Sequence, residues 1–209
     1  MNHGYYDPDN GYSNQENLYF HLIKDLDISR MHILDVGSGR GGGLNLLYNK
    51  IGCLSATGVD ISPDNIDFSN KSYGQSIKFV LGDAESLDFD SSSFDIVFNI
   101  ESAHCYPNYK KFLEEVVRVL KPGGLFLSTD LVAKDSGHNK YYSNILKIRE
   151  LSDIFEIKET DITQQVSDSC KIDSDFAEHW LIKKIAKNMY EEYNNNKTKH
   201  ISFYCRKVA

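Results

Sequence analysis

Short apolar runs alternate with amphipathic segments between residues 31 and 130. Helical periodicity fills the intervals, and Ser62-Pro63 supplies a helix N-cap and first turn. Repeated strand–helix units of this kind predict an α/β fold, a Rossmann-like, doubly wound parallel sheet with helices on both faces. The five runs with the length of buried strands are Met31–Val36, Ser55–Val59, Ile77–Leu81, Phe94–Ile100 and Leu125–Thr129.

The flanking segments are less regular. The first thirty residues are polar and rich in Tyr, Asn and Gly, and they end in a predicted helix near Gln15–Lys24. We expect a single domain over residues 1–209, with a lead-in or lid (1–30), a core (31–130), and the remaining sheet and acceptor-side helices (131–209). After Asp130 the pattern predicts a helix over Tyr141–Leu151, a strand over Phe155–Thr160, a long helix over Phe176–Tyr193 and a strand over His200–Arg206.

Charge and cysteine content narrow the class of partner. The chain has 30 acidic and 23 basic residues, a net charge of −7, which argues against nucleic acid or an anionic membrane as the main partner. Its apolar runs are too short to span a bilayer, and its start does not resemble a signal peptide. Cys53, Cys105, Cys170 and Cys205 lack metal-type spacing. We therefore expect a cytoplasmic protein with reduced thiols and no metal, either monomer or homodimer.

A glycine-rich turn follows the first strand. Gly37, Gly39 and Gly42 form G-x-G-x-x-G, and Asp60 ends the next strand, where an acid can bind ribose hydroxyls. This pattern alone is compatible with an NAD(P)-binding oxidoreductase.

The acids around the turn favour a different nucleotide. Asp35 lies two residues before Gly37, and Asp83 follows the third strand. A carboxylate at the mouth of the turn repels a pyrophosphate but favours a cation. S-adenosylmethionine (SAM), with an ammonium and a sulfonium, satisfies this electrostatic requirement better than NAD(P).

Five motifs in order resemble the class I SAM-dependent methyltransferases. The resemblance implies a mostly parallel seven-stranded sheet with an antiparallel terminal strand, and SAM as cofactor with S-adenosylhomocysteine as product. The motifs are Leu34-Asp35-Val36-Gly37-Ser38-Gly39, Gly58-Val59-Asp60-Ile61-Ser62, Gly82-Asp83-Ala84-Glu85, Phe94-Asp95-Ile96-Val97 and Val119-Leu120-Lys121-Pro122-Gly123-Gly124.

The same resemblance assigns cofactor contacts. Gly37 and Gly39 are expected to approach the methionine moiety and Asp60 the ribose. Asp83 and Ala84 are expected to contact adenine. The remaining cofactor residues implied by these motifs are Asp35, Ser38, where relatives often have Cys or Thr, Ile61, and Asn99, which closes the site after the fourth strand.

The segment from Asn99 to Pro107 resembles a subgroup that methylates hydroxyl or carboxyl groups of small polyketide, phenolic or fatty-acid-type molecules. In it, His104 is a candidate general base, and Glu101, three residues earlier, is expected to orient the ring. We expect methyl transfer to an oxygen of a small acceptor, in secondary metabolism. Carbon or nitrogen methylation and a catalytically silent SAM-binding subunit remain alternatives.

Two further features extend the candidate site. Asp130 ends the fifth strand and is expected to face the same cleft. The tyrosines at positions 5, 6, 12 and 19 are candidates for a lid over a sulfonium, because aromatic faces attract cations.

Overall fold

A seven-stranded sheet organises the chain in the computed structural model, which describes residues 2–133 and 144–208. The strand order is β3-β2-β1-β4-β5-β7-β6. The strands are β1 His32–Val36, β2 Ser55–Asp60, β3 Lys78–Leu81, β4 Phe94–Ile100, β5 Leu120–Ala133, β6 Phe155–Asp161 and β7 Thr198–Lys207.

The strand directions confirm the predicted sheet. β1 pairs in parallel with β2 and β4, β2 pairs in parallel with β3, and β4 pairs in parallel with β5. The terminal strand β7 inserts between β5 and β6 and is antiparallel to both. The carboxyl ends of the parallel strands therefore lie along one edge of the sheet.

Six helices flank the sheet in the described residues. α3 begins as its sequence predicts, with the Ser62 hydroxyl accepting from the Asn65 amide and Pro63 in the first turn. α1 begins with a capping box between Ser13 and Glu16. The helices are α1 Asn14–Ile23, α2 Gly42–Asn45 extended by a π-helical segment Leu46–Ile51, α3 Pro63–Tyr73, α4 Tyr109–Val119, α5 Thr163–Phe176 and α6 Trp180–Asn194.

One helix between the last two strands was not predicted. The long helix expected over Phe176–Tyr193 is present as α6, Trp180–Asn194, whereas α5, Thr163–Phe176, was missed. The sequence of α5 is rich in Ser and Asp, residues that favour caps and turns, so its pattern did not indicate a helix. For the predicted helix at Tyr141–Leu151, residues 141–143 lie outside the described residues, and Asn144–Leu151 forms a 3₁₀-helix.

Two apolar clusters cover the two faces of the sheet. Neighbouring residues of one strand alternate between them, so that Ile33 belongs to one cluster and Leu34 to the other. Leu18 of α1 packs into the first cluster and Phe112 of α4 into the second. Among the described residues, no helix combines the length and apolarity that a bilayer crossing requires.

Candidate active site

A cavity of about 1110 Å³ lies at the carboxyl ends of β1, β2 and β4. Its walls also include the first turn of α1 and the segment that follows β4. Single small-molecule sites usually measure about 300–1,000 Å³. The volume of this cavity is slightly above that range.

The glycine-rich turn is held in place on both sides. Gly37 has φ +77°, and a Cβ at this position would lie 2.4 Å from the Ser102 hydroxyl. Gly39 donates its amide to the Asp60 carboxylate at 2.8 Å, which ties the turn to the end of β2. A side chain at residue 37 would strain the backbone and displace Ser102, so glycine is required there for the turn to reach the cavity.

Most of the predicted cofactor residues line this cavity. Asp35 and Asn99 do not: both are buried and lie behind the wall. Ile61 is largely exposed and offers an apolar surface. The predicted residues in the wall are Gly37, Ser38, Gly39, Asp60, Ile61, Asp83 and Ala84.

Asp35 is a buried carboxyl group at the end of β1. The Tyr19 hydroxyl donates to its Oδ2 at 3.4 Å, and Tyr19 itself lines the cavity. Burial raises the pKa of the Asp35 carboxyl to about 7; the hydrogen bond from Tyr19 opposes this rise, and the nearby negative charge of Asp60 adds to it. A cation entering the cavity would favour the ionised form.

Asn99 supports the turn from beneath. Its side-chain nitrogen donates to the Val36 carbonyl at 2.8 Å, to the Ser102 hydroxyl at 2.7 Å and to the Tyr106 hydroxyl at 2.9 Å. The Ser102 and Tyr106 side chains, in turn, are the atoms closest to Gly37. Asn99 thus positions the glycine turn, whereas the sequence predicted a direct cofactor contact.

Acidic groups outnumber basic groups in the cavity lining, although Glu16 pairs with Lys50 and burial raises the pKa of the Glu101 carboxyl to about 8. The described lining contains five carboxyl groups, those of Glu16, Asp60, Asp83, Glu85 and Glu101, and one guanidinium, that of Arg40. The Arg40 guanidinium lies over the Phe68 ring, 4.9 Å from its centroid. The buried Ser38 hydroxyl has no hydrogen-bond partner among the described residues. This lining fits a cationic nucleoside such as SAM and disfavours a pyrophosphate.

His104 pairs with a different carboxylate from the one predicted. Its Nδ1 lies 2.7 Å from Asp130 Oδ1, and its backbone amide donates to Asp130 Oδ2 at 3.0 Å. Asp130 was expected to face the cleft, but it is fully buried and does not line the cavity, and its pairing with His104 was not predicted. The signal that could have found it is strand register: Ile100 pairs with Thr129, so the segment after β4 meets the end of β5.

The Glu101 carboxylate binds His3 and lies near His200. Both of its carboxylate oxygens accept from the His3 amide at 2.9 Å, and His200 Nε2 lies 3.7 Å from Oε1. The expected orientation of His104 by Glu101 was therefore wrong. The backbone of Glu101 has φ +48°, which turns its side chain toward β7 and the amino-terminal segment. Burial raises the pKa of the Glu101 carboxyl to about 8, although the His3 amide acts against this.

His3, Glu101 and His200 form a compact buried cluster. Their ligand-capable atoms all lie within 4.8 Å of one another. Ser169 donates its hydroxyl to the His3 carbonyl at 2.7 Å, and Tyr193 bonds His200 Nδ1 at 3.0 Å. The cluster joins the amino-terminal segment to β4, α5 and β7, a long-range contact that sequence spacing did not indicate.

The tyrosines predicted to form a lid do not lie together. Tyr19 lines the cavity, whereas Tyr5 stacks on His21 at 4.7 Å and Tyr12 packs on Phe20 at 4.3 Å between ring centroids. The predicted aromatic lid is thus reduced to one tyrosine in the wall.

Residues 34–128 match the family model described as a methyltransferase domain. A phthiotriol/phenolphthiotriol dimycocerosates methyltransferase of Mycobacterium leprae (strain TN) is 45% identical over 116 residues, which are 55% of this chain and 43% of that protein. A fatty-acid O-methyltransferase of Mycolicibacterium smegmatis is 42% identical over 122 residues, 58% of this chain and 44% of that protein. The matched region spans less than half of each curated relative.

A solved structure supports the fold over nearly the whole chain. Geranyl diphosphate C-methyltransferase from Streptomyces coelicolor A3(2), in complex with Mg²⁺, geranyl diphosphate and S-adenosyl-L-homocysteine, has a TM-score of 0.75. It is 17% identical and covers 98% of this chain and 92% of that chain. These matches confirm the methyltransferase resemblance predicted from the five motifs.

The raised pKa of Asp35 predicts a pH-dependent effect on stability. Between about pH 4 and 7 the carboxyl is protonated in the folded state but ionised in the unfolded state, because its pKa is about 7 instead of 3.8. The free energy of unfolding of the ligand-free protein should therefore fall as the pH rises to about 7. We expect the free energy of unfolding of Asp35→Asn, relative to that of the parent, to rise by about 2–3 kcal/mol between pH 5 and 7.5.

Urea denaturation at the two pH values measures this difference. Asp88→Asn, at an exposed carboxylate, is the control and should keep a constant offset from the parent. An Asp35→Asn offset that does not change with pH would show that Asp35 is ionised in the folded protein throughout this range.

Proposed function

We propose that this chain is a SAM-dependent methyltransferase acting on an oxygen of a small, lipid-like acceptor, and the match of residues 34–128 to the methyltransferase-domain model supports this. The observation that carries the proposal is His104, which lines a cavity rich in acidic groups and is held from behind by the buried Asp130. We retain the expectation of a cytoplasmic enzyme of secondary metabolism.

The cofactor is assigned to the half of the cavity between the glycine turn and the end of β2. Gly37, Ser38 and Gly39 hold the methionine moiety, and Asp60 accepts from the ribose. Asp83, Ala84 and Ile61 surround the adenine. From behind the wall, Asp35 acts by its charge and Asn99 positions the turn. Tyr19 lies within the wall and donates to Asp35. When bound, SAM supplies an electrophilic methyl group on a sulfonium.

His104 removes the proton from the acceptor. The Asp130 carboxylate accepts from Nδ1–H, and this assigns the lone pair of the ring to Nε2. A hydroxyl of the acceptor, held in the other half of the cavity, would give its proton to Nε2 as its oxygen bonds the methyl group, while the sulfur–methyl bond breaks and S-adenosylhomocysteine leaves. Asp130 then stabilises the imidazolium by its negative charge. Glu101 contributes by holding His3 and with it the amino-terminal segment over the site.

The relatives support an oxygen acceptor with an apolar body. One is named for a fatty acid and another for a dimycocerosate lipid. A fatty-acid carboxylate is already ionised near neutral pH, so His104 would then position the acceptor without deprotonating it. A carbon acceptor, as in the geranyl diphosphate enzyme, is the alternative.

SAM binding should be linked to the ionisation of Asp35. At pH 5.5 most of the carboxyl is protonated, since its pKa is about 7, and a cationic ligand must displace that proton. We expect the affinity for SAM to rise about tenfold between pH 5.5 and 7.0, with proton release on binding. Titration calorimetry in buffers of different ionisation enthalpy measures both quantities.

Asp35→Asn provides the matched variant for this linkage. Its affinity for SAM should be lower than the parent's at pH 7.0 and nearly independent of pH. Tight binding of NADH in preference to SAM would overturn the choice of cofactor, and a parent affinity that does not vary with pH would exclude Asp35 from binding.

Labelled methyl transfer tests the reaction itself. The parent is incubated with methyl-labelled SAM and a panel comprising a long-chain fatty acid, a phenol and a long-chain secondary alcohol. We expect a labelled ester or ether from at least one of them. Stoichiometric SAM binding without any labelled product would identify a silent binder, and label on carbon or nitrogen would support the alternative acceptor classes.

The kind of acceptor separates a base from a positioning residue. On a hydroxyl acceptor, His104→Ala should lower kcat about 100-fold or more, with SAM binding nearly unchanged. Asp130→Asn should also lower kcat, because the imidazolium formed in the reaction loses its negative partner. On a carboxylate acceptor both effects should shrink.

His179→Ala removes a histidine outside the cavity and is the control. A His104→Ala enzyme with the parent's kcat on a hydroxyl acceptor would contradict the general-base assignment.

A further inference from the structure

Three side chains with metal-binding atoms lie together where the amino-terminal segment meets the sheet. His3 Nδ1 is 3.5 Å from Glu101 Oε2, and His200 Nε2 is 3.7 Å from Glu101 Oε1. Ligand atoms around a tetrahedral zinc ion, with bonds of about 2.0–2.1 Å, are about 3.3–3.4 Å apart. The three groups are therefore close to the spacing that one shared ion imposes. We call these three residues the His–Glu–His cluster.

Two ring nitrogens of the His–Glu–His cluster lack a hydrogen-bond partner. Among the described residues, neither His3 Nδ1 nor His200 Nε2 forms a hydrogen bond. The side chain of His200 is fully buried, and that of His3 is 12% exposed. Buried polar atoms of native proteins are nearly always satisfied. An ion is a partner that can satisfy two imidazole nitrogens and a carboxylate at once.

Both imidazoles are suited to give a lone pair to a metal ion. Burial lowers the pKa of His3 to about 4 and lowers the pKa of His200 as well, so both rings are neutral near neutral pH. The Tyr193 hydroxyl lies 3.0 Å from His200 Nδ1. When Nδ1–H donates to this hydroxyl, the lone pair of the ring is on Nε2, next to Glu101. Histidines that bind metals commonly donate their second N–H in this way.

Glu101 supplies a carboxylate without a lysine or arginine partner. Its side chain is 1% exposed, and its ion pairs among the described residues are those with His3 and His200. Each carboxylate oxygen has two lone pairs. The His3 amide donates to both oxygens at 2.9 Å, which leaves lone pairs on each for an ion. A divalent cation would thus compensate a buried charge that no described basic side chain neutralises.

We propose that the His–Glu–His cluster binds a divalent transition-metal ion of the zinc type. Two imidazoles and a carboxylate are a ligand set that zinc uses, with water in the remaining position. Magnesium and calcium prefer oxygen ligands and do not fit this set. The ligands come from the amino-terminal segment, the end of β4 and β7, so the ion would cross-link three parts of the fold and stabilise it. This role does not depend on the proposed reaction.

The sequence predicted no metal because its cysteines lack metal-type spacing. His3 and Glu101 are 98 residues apart, and His200 lies about as far again along the chain, so only the fold brings them together. A proton is the competing occupant, since burial raises the pKa of the Glu101 carboxyl to about 8. The two unpartnered ring nitrogens favour the ion, because one proton on Glu101 can satisfy only one of them.

Thermal unfolding with added metal ions tests the proposal. The protein is dialysed against a chelator and then titrated with zinc chloride, and separately with magnesium chloride. We expect one zinc ion per chain, a rise in Tm that saturates with zinc, and at least about 100-fold weaker binding of magnesium. Cobalt(II), a coloured substitute for zinc, should produce a visible absorption band that added zinc removes.

Four variants test the ligands and the outer hydrogen bond. His3→Ala, Glu101→Gln and His200→Gln should each weaken zinc binding about 100-fold or more. Tyr193→Phe should weaken it about tenfold, because the loss of an outer partner of a ligand typically costs 10–100-fold. His179→Ala removes an exposed histidine elsewhere and should bind zinc as the parent does.

Circular dichroism of the metal-free variants shows whether each one folds. His3 is the least buried ligand and its backbone amide remains in His3→Ala, so this variant serves if His200→Gln does not fold. Parent-like zinc binding by His3→Ala or Glu101→Gln would overturn the proposal, as would a Tm that zinc does not change or that magnesium raises equally. Zinc binding that only His3→Ala abolishes would place the ion outside the His–Glu–His cluster and would also overturn it.

Discussion

Three carboxyl groups are buried at the same edge of the sheet, and the site is organised around them. Asp35, Glu101 and Asp130 follow or end β1, β4 and β5, and each is almost fully buried. Carboxylates in such positions must be protonated or must bind donors and cations, because the apolar interior does not solvate their charge. Each of the three carboxyl groups meets this requirement with different partners, and each affects a different part of the site.

Asp130 accepts hydrogen bonds from both the ring and the amide of His104, which fixes the imidazole in the cavity. Glu101 accepts from the His3 amide and so holds the amino-terminal segment against the sheet. Asp35 has the Tyr19 hydroxyl, a single long hydrogen bond, and its pKa is raised to about 7 by burial. Under the proposed function, a cationic ligand at the glycine turn would supply a counter-charge to Asp35.

Local sequence pattern was sufficient to predict the strands of the sheet, the glycine turn and the wall of the cavity near Asp60, because these depend on short-range periodicity and turn chemistry. It was not sufficient to predict the partner of His104. A spacing of three residues suggested Glu101, but the positive φ of Glu101 and the register of β4 with β5 bring Asp130 to the ring instead. Helix α5 was missed for a related reason: its polar sequence is stabilised by tertiary contacts such as that of Ser169 with His3.

The cavity lies at the carboxyl ends of β1, β2 and β4. The methyltransferase-domain model matches residues 34–128, whereas the fold similarity extends over nearly the whole chain. The curated relatives are matched over less than half of their own length. His104 lies within residues 34–128, so a part of the proposed acceptor site is inside the matched region.

A crystal structure of the protein with S-adenosylhomocysteine bound is the most direct test of the central assignment. We expect the ribose hydroxyls on Asp60, the homocysteine at Gly37–Gly39, and the sulfur directed toward open space beside His104, with the His104–Asp130 hydrogen bond preserved. A ligand bound elsewhere, or a sulfur separated from His104 by protein atoms, would contradict it.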